Sequence, residues 1–213
     1  MMVMPANQSG PRVHYLAGRY PGRIGWLVGP SARTKSKLRP WIPYALDNDA
    51  FSAWAHKRTW SEAEWMAMLD WARASGFKPR WVLVPDEVAN REATLEKWGR
   101  YAPIARQYQW PLAFAVQDGM NAADVPHDAD VVFVGGSDEF KWPTMTMWAE
   151  NFPRVHVGRV NSVHRLRECF AAGIESVDGT GWMRDESRKD KMDALEDWIA
   201  ETHGHHHRVV TVE

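Results

Sequence analysis

The chain has 213 residues, with 26 Lys and Arg against 27 Asp and Glu, 45% hydrophobic residues and 25% charged ones. That length is enough for one sizeable core, and the composition excludes a disordered or collagen-like chain. The near-neutral balance, with a pI of about 6.8, leaves no overall positive field to attract nucleic acid, so any such contact has to come from a local patch. A single cysteine, Cys169, permits no intrachain disulfide and no multi-cysteine zinc site; a reducing, cytoplasmic compartment is expected. Residues 1–10 lack the apolar core of a signal peptide, and the longest apolar runs fall far short of the roughly 20 residues a membrane span needs. A membrane is not expected among the partners.

Residues 1–20 read as an N-terminal extension. Beyond them, short β-rich runs alternate with helical patterns, and they follow in chain order. Arg23–Val28 and Tyr44–Asn48 are strand-like. Ser61 followed by Glu64 forms a capping box before a helix with the apolar stripe Trp65, Leu69 and Ala72, which stops at Gly76. Arg80–Pro85 is the next strand run, and Asn90 caps a helix striped by Leu95, Trp98 and Ala102. Pro111–Gln117 and Asp130–Gly135 follow as strands, then a helix with Met145, Trp148 and Phe152, the strand Arg154–Val160, and a helix with Val163, Leu166 and Phe170 that stops at Gly173. The strand Glu175–Asp178 precedes a helix marked by Met192, Leu195 and Ile199, and a last run, Arg208–Val212, lies beyond the tract His203–His207, which reads as a solvated tail. The thirteen Trp recur mostly at helix-like positions and are expected as packing residues. Cys169, beside Phe170, is expected as a buried structural thiol, and His156 as a packed core residue.

Eight strands with helices between them fit a single-domain (β/α)₈ barrel of TIM type, compact for that fold. A doubly wound open sheet is the alternative. The chain carries neither G-x-G-x-x-G nor G-x-x-x-x-G-K-[ST] at a strand-to-helix junction, which removes the usual nucleotide-binding signature of that sheet.

In a barrel the reacting groups sit at the C-terminal ends of the strands. Here those ends are polar: Asp47-Asn48-Asp49, Asp86-Glu87, Gln117-Asp118-Gly119, Gly135-Gly136-Ser137, Arg159-Val160-Asn161 and Asp178-Gly179-Thr180. Singly, each suits a turn or a cap. Together, three carboxylates around one cavity repel one another unless a substrate or shifted proton affinities accommodate them. A carboxylate can accept from the N–H edge of a purine-like base, a glutamine can donate to its carbonyl, and a glycine lets backbone come close. A second carboxylate can attack an anomeric carbon, and a third can move the proton.

These strand ends resemble the tRNA-guanine transglycosylases, barrel enzymes that exchange guanine for a 7-deazaguanine. Leu46-Asp47-Asn48-Asp49-Ala50-Phe51 is similar to the family's D-S-G-G-F, which makes Asp47 the general base or proton shuttle. By the same resemblance Asp86 grips the guanine edge, Gln117 of Val116-Gln117-Asp118-Gly119 contacts the base, and Gly135 and Gly136 form the G-G loop with its backbone contact. Asp178 stands as the nucleophile. The likeness spans about 46–184 and keeps the family's order. It departs at the zinc site, whose three Cys and one His cannot exist in a chain with one Cys, and at Asp49, which replaces the second motif glycine and tolerates a left-handed backbone better than most residues.

The chain also lacks the family's large tRNA-binding additions and so resembles the reduced relatives, from bacteriophages and bacterial islands, that insert 7-deazaguanines such as preQ0 into DNA. The resemblance therefore implies a DNA substrate ahead of tRNA, a 7-deazaguanine base, and no cofactor or metal. Arg159, Arg184 and Arg188 are the candidates for the phosphate side. An N-glycosidase, and a non-catalytic base-binding subunit of a modification complex, are the competing readings. Partnership with a second copy of the chain or another subunit stays open.

Overall fold

Strand formation follows the runs of Val, Leu, Ala and aromatic residues, which suit a surface buried on both faces. The structure, a computed structural model, describes residues 1–34, 37–183 and 189–203. In chain order the described elements are β1 (Met2–Pro5), α1 (Pro11–Arg19), β2 (Trp26–Val28), β3 (Tyr44–Leu46), α2 (Ala50–Ala55), α3 (Glu62–Ala74), β4 (Val82–Leu83), α4 (Arg91–Arg106), β5 (Leu112–Val116), β6 (Val131–Val134), α5 (Asp138–Asn151), β7 (Val155–Val157), α6 (Val163–Ala171), β8 (Ser176–Gly179) and α7 (Lys189–His203). Short 3₁₀ turns, Pro30–Ala32 and Ala122–Asp124, stand after β2 and β5 where helices would complete the outer ring.

All ladders are parallel, and the sheet order is β1-β8-β7-β6-β5-β4-β3-β2. Parallel bridges Val3 to Ile24 and Ala6 to Leu27 join the two ends of that order. Val3 N–H donates to Arg23 O at 2.8 Å and Gly25 N–H to Val3 O at 2.9 Å. The result is a (β/α)₈ barrel. Alternation along the strands divides the core: Met2, Met4, Leu27, Ala45, Trp81, Leu83, Ala113 and Ala115 fill the interior, with Phe133 packed against them. Val3, Val28, Leu46, Val82, Phe114, Val132 and Val157 face the helices. A strand's period of two produces that division directly.

Ser61 caps α3 by accepting from Glu64 N–H at 3.2 Å, one half of the expected box; Asn90 accepts from Ala93 N–H at 3.0 Å, and Gly76 and Gly173 take left-handed φ values of +74° and +78° after α3 and α6. Cys169 is buried, its Sγ 3.5 Å from Met145 Sδ, and burial pushes its thiol up to about 12. Such a group is a packing element rather than a nucleophile. Trp65, Trp81, Trp148, Trp182 and Trp198 are fully buried, whereas Trp41 and Trp54 are exposed.

One expectation is corrected. Residues 1–20 are not an extension: they supply β1 and α1, and β1 pairs with β8 in register from Met2 with Ser176 to Pro5 with Gly179. The apolar tetrapeptide Met2–Pro5 is buried throughout, so it lacks the alternation that marks a half-exposed strand. The expected run at 208–212 lies outside the described residues, as do 204–207 of the His-rich tract; His203 ends α7 with its ring edge-on to Tyr20. Among the described residues no helix is long and apolar enough to cross a membrane.

Candidate active site

The strand ends open on a cavity of about 650 Å³, lined among others by Asn7 and Gln8 after β1, Asp47 to Asp49 after β3, Asp86 after β4 and Gln117 after β5. Gly135 and Gly136 after β6, Gly158 and Arg159 after β7, and Asp178 within β8 complete the wall. Every expected site residue that the structure describes therefore reaches one cavity. Arg184 and Arg188 lie outside the described residues.

Asp86 is the centre of a buried network. Its Oδ1 accepts from Asn48 Nδ2 at 2.7 Å and its Oδ2 from Gln117 Nε2 at 2.6 Å. The Gln117 carbonyl in turn accepts the N–H groups of Ala89 and Gly136, both at 3.0 Å. Two backbone donors on that oxygen fix the amide orientation, so its NH₂ must face Asp86. Asn48 is fixed the same way, its Oδ1 accepting from Ala50 N–H at 2.8 Å and its Nδ2 also donating to Val84 O at 2.9 Å. Burial pushes the Asp86 carboxyl above its usual range, and the bond from Asn48 opposes the shift. The Gly136 N–H expected to meet a base is thus already engaged by Gln117. Gln117 keeps a second N–H, and Asp86 keeps further lone pairs.

Glycine is required at 136. With φ at +68°, an added Cβ would stand 2.6 Å from Asp118 Oδ2 and 2.7 Å from Phe140 Cδ1. Gly136→Ala is expected to destabilise the fold by about 1–3 kcal/mol, read as a lower midpoint in urea.

Asp47 and Asp178 line the same cavity. Asp178 Oδ1 accepts from Arg159 N–H at 2.7 Å. The carbonyl of the same peptide group, Gly158 O, accepts from the buried Lys141 ammonium at 3.0 Å, whose pKa burial lowers. Asp47 Oδ1 accepts from Asn48 N–H at 2.8 Å. Burial, then the charges of Asp49 and Asp178, push the Asp47 carboxyl well above the usual range. Asp49 takes the left-handed conformation, φ +59°, and its Oδ2 accepts from Ser31 N–H at 3.1 Å.

A carboxyl raised by folding contributes stability at low pH that is lost as pH rises through its raised pKa. Asp47→Asn is therefore expected to match the native protein in acid and to exceed it in melting temperature toward pH 8, by the equivalent of about 1 kcal/mol. A constant offset at every pH would remove the electrostatic explanation.

Arg159, expected on the phosphate side, lines the cavity with its side chain partly exposed. It donates to Gly136 O, lies 4.6 Å from the Phe51 ring centroid and stands 3.9 Å from Asp138 Oδ1. With φ at +60°, it closes the rim between β6 and β7. Sequence reasoning missed Lys141, Asn7 and Gln8; a lysine on a helix carried no signal of burial, and the last two follow a strand that was not recognised. Among the described residues, no group of three or more His, Cys, Asp or Glu side chains is placed to hold a metal ion.

Comparison with known proteins finds no matching family model and no matching curated protein. Among solved structures the chain is similar to phosphoribosyl anthranilate isomerase from Thermus thermophilus, with a TM-score of 0.49 and 16% identity, over 94% of this chain and 99% of that one.

Proposed function

We propose that this chain is a guanine transglycosylase that exchanges guanine in a polynucleotide, DNA ahead of tRNA, for a 7-deazaguanine such as preQ0. The observation that carries the reading is the division of labour among three carboxylates in one cavity: Asp86 locked as an acceptor by two amides, Asp178 anchored through one oxygen, and Asp47 with a raised proton affinity.

In the first half-reaction an Asp178 oxygen bonds to C1′ as the C1′–N9 bond breaks, and the electron pair leaves with guanine. Protonated Asp47 supplies the proton that N9 then carries. In the second, Asp47 takes the N9 proton of the incoming base, N9 bonds to C1′, and the ester oxygen departs with its pair to restore the Asp178 carboxylate. Atoms and charges balance without an energy source. Asp86 accepts from the N–H edge of either base while Gln117 directs its remaining N–H at the carbonyl. A base inside a duplex cannot reach these groups, so the target enters flipped or single-stranded.

The test is incubation of purified protein with radiolabelled guanine and, separately, duplex DNA, single-stranded DNA and bulk tRNA. Label entering DNA is expected. Label in tRNA keeps the chemistry and moves the substrate; free guanine released without incorporation replaces exchange by hydrolysis. No label and no release in any arm would leave a base-binding subunit as the better account.

A further inference from the structure

His156 stands in the middle of β7, wholly buried, with its side chain inside the barrel. Phe133 stacks on its ring at 4.8 Å between centroids, and Trp81 meets it edge-on at 4.8 Å, so the imidazole plane is set from two sides. The strand register pairs His156 with Ser176 on β8, whose Oγ is 2.8 Å from Nδ1. Two residues on along β8, and so on the same face, comes Asp178. His156 Nε2 lies 3.5 Å from Asp178 Oδ1. Among the described residues Nε2 has no hydrogen-bond partner. A buried polar atom left in that condition is costly, and here the Asp178 carboxylate stands 3.5 Å from it.

The carboxylate selects the tautomer. A bare Nε2 would set a lone pair against Oδ1, whereas Nε2–H points a donor at it; Nδ1 is then the acceptor and the Ser176 hydroxyl donates to it. Oδ1 thereby faces two donors, this one and Arg159 N–H at 2.7 Å. We infer that His156 is a positioning residue for Asp178: its Nε2–H holds Oδ1 in place and leaves Oδ2 as the oxygen that bonds to C1′. The assignment rests on the glycosyl-transfer reading. It adds which oxygen attacks, and what holds the carboxylate still while it does so.

His156→Phe keeps a ring between Phe133 and Trp81 but removes both nitrogens, while His156→Gln returns an N–H near the Nε2 position. The phenylalanine variant is expected to lower kcat for guanine incorporation roughly ten- to a hundredfold, as a displaced reacting group does, with KM for guanine unchanged and most of the rate restored in the glutamine variant. ¹⁵N spectra of the imidazole in the intact protein are expected to show Nε2 protonated, and Ser176→Ala, which leaves the ring in place, to lower kcat without changing KM. A native rate in His156→Phe overturns the positioning role, as does a ring protonated at Nδ1 alone. Incorporation in the native protein separates the two levels: if it is absent, the transglycosylase reading falls and the role in attack falls with it. If it is present and unaffected by His156→Phe, only the positioning role falls.

Discussion

Asp178→Asn is expected to abolish both the covalent protein–nucleic acid adduct and the incorporation of labelled guanine, a loss of at least about 10⁴-fold in rate. The substitution is conservative in every respect but one. Asn Oδ1 can still accept from Arg159 N–H, which the carboxylate does at 2.7 Å, so the side chain keeps its anchor and the cavity its shape. What is lost is the negative oxygen that bonds to C1′ and the stable leaving carboxylate of the return step. Binding of free guanine, carried by Asp86 and Gln117 across the cavity, is expected to stay within a few-fold of native. Measurement of the adduct on a denaturing gel beside guanine binding by calorimetry separates the two. An adduct retained by Asp178→Asn and lost in Asp47→Asn would transfer the nucleophile to Asp47.

Asp86→Asn is expected to affect fold and binding together. Asp86 receives an N–H from Asn48 at 2.7 Å and another from Gln117 at 2.6 Å, and neither donor can turn away. The Asn48 and Gln117 carbonyls are both held by backbone N–H groups. An amide at 86 has one acceptor and one donor group, so one of its neighbours would meet an NH₂ in place of an oxygen. A buried donor facing a donor costs about 1–3 kcal/mol. The urea midpoint is expected to fall accordingly, and guanine affinity by on the order of a hundredfold, since each lost charge-assisted bond is worth about 1.5–3 kcal/mol. Equal effects of Asp86→Asn on guanine and on an adenine control would remove Asp86 from base recognition.

The barrel and the ring of polar strand ends were legible because both rest on short-range patterns. A β-rich run followed by Asp, Gln or Gly-Gly says where a strand stops and what stands at its end, and Asp47, Asp86, Gln117, Gly135, Gly136 and Asp178 all reach the cavity. Strand length was less legible: of the run Arg80–Pro85 only Val82 and Leu83 form the strand, although Arg80 N–H and Val84 N–H still bond to Tyr44 O and Ala113 O on either side. Met2–Pro5, buried on both faces, shows no period at all. Arg159 reads as a surface cation, and only the left-handed turn of its backbone carries the guanidinium back to Gly136 O. His156 was rightly expected in the core; what lies opposite its Nε2 depends on the register between β7 and β8, which no local pattern specifies.

The pairing of β1 with β8 sets the order in which the molecule can become competent. Met4 stands beside Asp178, so the wall behind the nucleophile is made of residues from near opposite ends of the described chain. Contacts so far apart in sequence are the slowest to form: β1 can meet β2 through the Val3–Ile24 and Ala6–Leu27 bridges early, but during synthesis its ladder with β8 has to wait for almost the whole polypeptide. The intermediate that waits has seven strands already able to pair and an unpaired edge at each side. The strand ends of β3 to β6, with Asp86 held by Asn48 and Gln117, can assemble in it, but Asp178 gains Met4 as its neighbour only when β8 closes against β1. The Asp86 network can thus be complete before the wall beside Asp178 is closed.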